Sequence, residues 1–199
     1  MLYNHMEALM SRKLFTLSLT ATLMGGTAYA DTPQVAVDIA PVHSLVARVM
    51  DGVGTPDLII QPGASPHEYS LRPSEAAALQ NSDLVFWIGP DLTPWLTDTI
   101  ETLAKDASVT TLLDLDGTVQ LDFRESALFE VHDHKDHDDH DDHDDHDDHG
   151  SHDPHAWLSP ENAKLWLNII ASKLSVSDPE NAATYFMNAA AGQAEIEAM

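Results

Sequence analysis

QVAVDIAPVHSLVARVM, residues 34–50, decides the fold. Gln34 to Ile39 is a β-branched run that reads as a buried strand. Pro41 then stands at a first helical position, where its missing N–H costs nothing, and Val42, Leu45, Val46, Val49 and Met50 follow at the spacing of one helical face. Gly52 and Gly54 end that helix. A strand running straight into a helix is the opening of a βα unit, and the pattern continues. Asp57 to Ile60 is a second short strand, a Pro/Gly/Ser loop spans Gln61 to Ser70, and an Ala-rich helix covers Ser74 to Gln80. Leu84 to Ile88 is a third strand. Thr93-Pro94 starts a helix through Lys105 with Leu96, Ile100 and Leu103 facing inward, and Val109 to Leu112 is a fourth strand. This βαβα order predicts an α/β lobe, a parallel sheet flanked by helices with its functional loops at the carboxyl ends of the strands.

Beyond Leu121 the periodicity fades until Trp157. Between them lies a tract in which His132, His134, His137, His140, His143, His146, His149 and His152 alternate with aspartates. From His132 through Asp153 the chain holds eleven Asp and one Lys, a net of −10 out of a formal −24 for all 199 residues. Such a segment buries no apolar surface and repels itself, so residues 132–152 read as a disordered loop inserted in the lobe. Imidazole and carboxylate at this density bind divalent cations; the plainer alternative is a solvated acidic loop. An acidic chain of this kind also argues against nucleic acid and anionic membrane as partners, since both demand basic patches.

Residues 1–30 read as an export signal. Arg12 and Lys13 form a positive region, Leu14 to Met24 a short apolar one, and Ala28-Tyr29-Ala30 a cleavage site; a membrane anchor or buried helix is the alternative. The apolar part is too short to span a bilayer and no second hydrophobic span follows, which predicts an exported protein without membrane insertion. Cysteine is absent, so no disulfide framework or thiolate ligand is available and any metal site is restricted to nitrogen and oxygen donors. The 43% hydrophobic content suffices for one ordinary core.

Order returns at Ser159-Pro160-Glu161, an N-cap, a proline at N1 and an acid in the first turn. Ala163, Trp166, Leu167, Ile170 and Leu174 line one face of the helix that follows. Asp178-Pro179-Glu180 repeats the signal and opens a helix through Tyr185 and Phe186 that carries no stop signal at Met199, which reads as the first part of a longer polypeptide.

Two short motifs carry candidate chemistry. In Ser65-Pro66-His67-Glu68-Tyr69 a proline braces a histidine on the loop after the second strand, aimed at the crevice where open α/β sheets bind ligands; the alternative is a loop histidine satisfied by backbone groups. In Asp153-Pro154-His155-Ala156-Trp157-Leu158-Ser159-Pro160 a second histidine lies between two prolines just before a capped helix. His43, after the first strand, either approaches the same cleft or belongs to the polar face of its helix.

SPHEYSLRPSE, residues 65–75, a charged His-rich insertion, and DPHAWLSPENA, residues 153–163, together resemble the periplasmic zinc-binding proteins of ABC-type uptake systems, the ZnuA type, from about Val35 to the end. The resemblance implies two α/β lobes joined by a long helix, with metal held between them. It makes residues 31–131 and 153–177 the N-terminal lobe and residues 178–199 the start of the connecting helix, with the second lobe missing. It also implies His67 and His155 as metal ligands, further ligands in the missing lobe, Zn2+ as the bound ion, a membrane permease of an ABC transporter as partner, and a monomeric protein in the periplasm. Where some zinc members place a Glu just before the first histidine, this chain has Pro66; Glu68 is a possible substitute.

Imidazole nitrogens plus an oxygen suit Zn2+, whereas Mn2+ favours more carboxylate and water. A flexible multivalent loop joined to the segment bearing His155 would raise the local metal concentration beside the tight site. The rival readings are a periplasmic metal buffer or chaperone for Zn2+, Ni2+ or Cu2+ without a transporter, and a manganese-binding relative. An exported zinc hydrolase drafting Glu68 as general base is disfavoured, because no H-E-x-x-H helix or nucleophile constellation is present.

Overall fold

The computed structural model describes residues 32–123 and 152–199. Residues 1–30 and the tract from His132 to His149 lie outside the described residues, and with them the export signal and most of the metal-binding loop expected from the sequence.

Strands β1 (Val35–Val37), β2 (Asp57–Leu58), β3 (Leu84–Trp87) and β4 (Ser108–Thr111) form one parallel sheet in the order β2-β1-β3-β4. The β1 residues are buried on both faces, as an apolar run in a helix-covered sheet must be. The chain steps outward from β1 to β2 and then returns past β1 to β3, so the order reverses at β1 and leaves a crevice at the strands' carboxyl ends. Asp38 closes the base of that crevice. Its Oδ2 accepts the Ile88 N–H at 2.7 Å and its Oδ1 the Ile39 N–H at 2.7 Å, tying the exits of β1 and β3 together.

Helix α1 (Ala40–Val49) starts with proline in its first turn and buries Val42, Val46 and Val49. Helix α2 (Pro73–Gln80) and helix α3 (Thr97–Leu103) complete the first half. The continuous helix expected from Thr93 to Lys105 is a 3-10 turn at Pro94–Leu96 followed by α3, which stops at Leu103. The tighter turn is closed by the Leu96 N–H donating to the Thr93 carbonyl and the Thr97 N–H to the Pro94 carbonyl, i to i+3 bonds that precede the α-helical ones. The second strand is shorter than expected, yet Ile59 and Ile60 still donate to the carbonyls of Val37 and Asp38, so the ladder extends through Ile60.

A ribbon unseen in the sequence, β5 (Leu121–Asp122) and β6 (His152–Asp153), pairs antiparallel. His152 therefore belongs to a strand and not to the loop the sequence assigned it to. Helix α4 (Pro160–Ser177) begins as expected, with the Ser159 side chain accepting from Asn162 N–H, and buries Trp166, Leu167, Ile170 and Leu174. After a 3-10 turn at Pro179–Asn181, helix α5 (Ala182–Glu197) packs on α4 and α1. Three contacts fix that packing. Arg48 of α1 forms a salt bridge to Glu195 at 2.8 Å, the Asn188 amide caps the Val49 and Asp51 carbonyls, and Gly192 lets Leu167 and Arg48 approach where a Cβ would meet both within 3.3 Å. Tyr185 is buried and donates to Asp178 Oδ2 at 2.8 Å, whereas Phe186 remains exposed.

Candidate metal centre

The loop that leaves the carboxyl end of β2 is held by side chains rather than by regular structure. Trp95 donates its indole N–H to the Pro66 carbonyl at 2.8 Å, one residue before His67. Tyr69, two residues after His67, packs against the Trp95 ring with centroids 5.8 Å apart and a 42° tilt, and donates to Glu75 Oε1 at 2.9 Å. Glu75 is buried and accepts the Arg72 N–H on its other oxygen, which caps the start of α2. Burial and the bond to this carboxylate push the Tyr69 phenol above its usual range, so it stays a donor at neutral pH. The result is a rigid rim around an open depression of about 370 Å³ lined by His67, Glu68, Tyr69, Ser70 and Trp95.

His155 arrives from the other end of the sequence. Strand β6 delivers Asp153, Pro154 is buried, and a 3-10 turn at Ala156–Leu158 leads into α4. Asn162, buried in the first turn of α4, fastens this segment: its Nδ2 donates to the carbonyls of Ala156 and Val119, and its Oδ1 accepts the Val119 N–H at 2.8 Å. The Asp153 carboxylate accepts both the backbone N–H of His155 at 2.9 Å and its ring Nδ1 at 2.6 Å. The Trp157 ring lies 5.0 Å from the imidazole.

These two constructions meet. The His67 and His155 rings have their centroids 5.7 Å apart at an interplanar angle of 63°. Two imidazoles sharing one zinc at bond lengths of about 2.0–2.1 Å and a tetrahedral angle have ring centres about 5 Å apart, so the pair stands within reach of a common ion. Glu68 is exposed on the same rim. His43 does not join them: its Nε2 is hydrogen-bonded to the Pro56 carbonyl at 3.0 Å. His152 pairs through Nδ1 with Asp122 across the ribbon at 3.1 Å. Among the described residues no group of three or more His, Asp or Glu is gathered for a metal; the structure brings together two imidazoles and not a full coordination shell.

Sequence reasoning named Asp153 and Asn162 only as members of the second motif, without a role, and missed Trp95; Asn162 left a further trace, since it precedes Trp166 and Ile170 by one and two turns and so puts an amide on an otherwise apolar stripe.

A parallel sheet flanked by helices is the fold this chain shares with metal-binding solute-binding proteins. The family described as "Zinc-uptake complex component A periplasmic" (ZnuA) matches residues 35–199, and the chain belongs to it. It is 43% identical over 183 residues to the high-affinity zinc uptake system protein ZnuA of Paracoccus denitrificans, a match covering 86% of this chain and 56% of that protein. The fold is shared with the Mn-bound periplasmic metal binding protein of Candidatus Liberibacter asiaticus, with a TM-score of 0.62 and 21% identity over 81% of this chain and 52% of that one. It is likewise shared with Zn(II)-bound AdcA of Streptococcus pneumoniae, with a TM-score of 0.61 and 22% identity over 84% and 31% of the respective chains. The chain spans little more than half the length of the curated relatives it matches.

Proposed function

We propose that this chain forms the lobe of a periplasmic zinc-binding protein that captures Zn2+ at His67 and His155 and delivers it to the membrane permease of an ABC transporter. The observation that carries the reading is the convergence of those two imidazoles from separate, independently braced loops. Neutral imidazole is a good donor for Zn2+, and nothing thiolate-like competes in a cysteine-free chain. Membership in the zinc-uptake family supports both the cargo and the partner. On this reading residues 1–30 export the protein, and among the described residues no helix is long and apolar enough to cross a membrane. The remaining ligands come from outside the described lobe, with Glu68 as a local oxygen donor. Residues 178–199 begin the connection toward them.

The tract histidines, His132 to His149, act as weaker, faster-exchanging sites that concentrate the ion near His155. Deleting them lowers the number of zinc ions bound per chain and leaves the response of His67 and His155 to zinc in place.

Growth under zinc limitation tests the transport role against a buffering one. Deleting the gene starves the cell of zinc, and added zinc relieves the defect. Normal growth of the deletion strain in chelator would instead favour a metal buffer uncoupled from a transporter.

A further inference from the structure

We propose that Asp153 is the positioning residue of the metal centre: its carboxylate fixes the His155 imidazole as the Nδ1–H tautomer and so leaves Nε2 as the lone pair offered to metal. The inference rests on the reading of His155 as a zinc ligand and adds to it the group that prepares this ligand before metal arrives.

The geometry is specific. One oxygen, Asp153 Oδ1, accepts two donors of the same residue, the His155 backbone N–H at 2.9 Å and ring Nδ1 at 2.6 Å. An ionised carboxylate has no proton to give, so the ring nitrogen is the donor and the tautomer follows. The Nδ1 bond has the length expected of a charge-assisted contact. In water a neutral imidazole favours the opposite tautomer, with its proton on Nε2, and the carboxylate reverses that preference. Both partners are half-exposed, with side-chain exposures of 41% for His155 and 42% for Asp153, yet the link does not depend on chance encounter. The buried Pro154 between them fixes the intervening backbone, and strand β6 anchors Asp153 through its pairing with Leu121.

His67 lacks this device. Among the described residues its ring has no hydrogen-bonding acceptor, and serine, Ser65, holds the position two before it that aspartate holds before His155. The two ligands are therefore unequal: His67 is placed by its loop, whereas His155 is placed by its loop and set in protonation pattern by a carboxylate. A negative charge on the far side of the ring also strengthens Nε2 as a donor, and loss of such a group commonly weakens metal binding by about 10- to 100-fold.

The test is nitrogen-resolved NMR of the histidine rings in the full chain, metal-free at pH 8 and then titrated with Zn2+, for wild type, Asp153→Ala, Asp153→Asn and His67→Ala. The wild-type His155 ring carries its proton on Nδ1, and zinc shifts Nε2. In Asp153→Ala the ring moves toward the Nε2–H form and the zinc concentration for half-saturation at His155 rises about tenfold or more. Asp153→Asn keeps an oxygen acceptor without the charge and falls between. A wild-type ring protonated on Nε2, or an alanine variant with unchanged tautomer and unchanged zinc response, overturns the proposal. Should Asp153→Ala unfold, the wild-type tautomer and the asparagine variant still decide it. His67→Ala separates this inference from the site reading: a His155 zinc response indifferent to that change defeats the shared site, while the tautomer result still judges Asp153.

Discussion

Trp95 donates its indole N–H to the carbonyl oxygen of Pro66 at 2.8 Å, so a residue on the turn before α3 sets the backbone that presents His67. Trp95→Phe keeps an aromatic ring beside Tyr69 and deletes this bond together with part of the indole. It should cost about 1 kcal/mol, a fall of a few degrees in the melting temperature, and weaken zinc binding at His67 without altering the Asp153 contact to His155. Thermal melts with residue-resolved zinc titration check both parts; an unchanged His67 response would show that the loop needs no such brace.

Asn162 does the corresponding work on the other side. Replacing it by alanine leaves the buried Ala156 carbonyl and the part-buried Val119 N–H and carbonyl without their partner. The expected loss is about 1–3 kcal/mol in chemical denaturation, with faster amide exchange at Val119. Asparagine to aspartate should be little better, because a carboxylate replaces the Val119 N–H acceptor but cannot donate to two carbonyls. Protection of Val119 that survives Asn162→Ala would remove Asn162 from this role.

Burial pushes the Asp38 carboxyl up to about 7 from its ordinary 3.8, against the opposing pull of the Ile88 and Ile39 N–H groups. A value raised in the folded state means that the native chain keeps a proton which the unfolded chain has released across this interval. Its contribution is therefore full below about pH 4 and is lost as the pH climbs through 7. Subtracting the stability of Asp38→Asn from that of wild type isolates this group from the other carboxylates. The difference should fall by an amount on the order of a few kcal/mol between pH 4 and 7 and be flat above. A difference that rises with pH would mean that the backbone donors, and not burial, dominate.

At the junction of α4 and α5, Tyr185 and Asn181 both donate to the Asp178 carboxylate. These bonds outweigh the effect of burial, which alone would raise Asp178, and hold it below its usual value. Tyr185→Phe leaves that buried acceptor short of a donor and should cost about 1–3 kcal/mol in urea denaturation, while the metal response of His155 is unaffected. A melting temperature equal to wild type would indicate that solvent replaces the hydroxyl.

The strand and helix alternation was legible because each element carries its own signal: the β-branched run before Pro41, the cap at Ser159, the apolar stripe through Trp166. The His67 and His155 motifs were legible as proline-braced histidines, and their likeness to a zinc-uptake family paired them. What escaped were groups whose meaning depends on long-range placement. Nothing near Trp95 announces that its indole reaches Pro66, and β5 and β6 are too short to show any period, so His152 looked like one more histidine of the acidic tract. His43 illustrates the converse, since a histidine directly after a strand reads as a candidate ligand until its Nε2 is found on the Pro56 carbonyl.

The central claim is that His67 and His155 act on one ion. Following both rings by NMR while Zn2+ is added tests it most directly, because the tract histidines are then read separately. The account predicts that the two rings respond at the same zinc concentration and that His67→Ala abolishes the His155 response, as His155→Ala abolishes that of His67. Two rings that titrate independently, each indifferent to loss of the other, would contradict it.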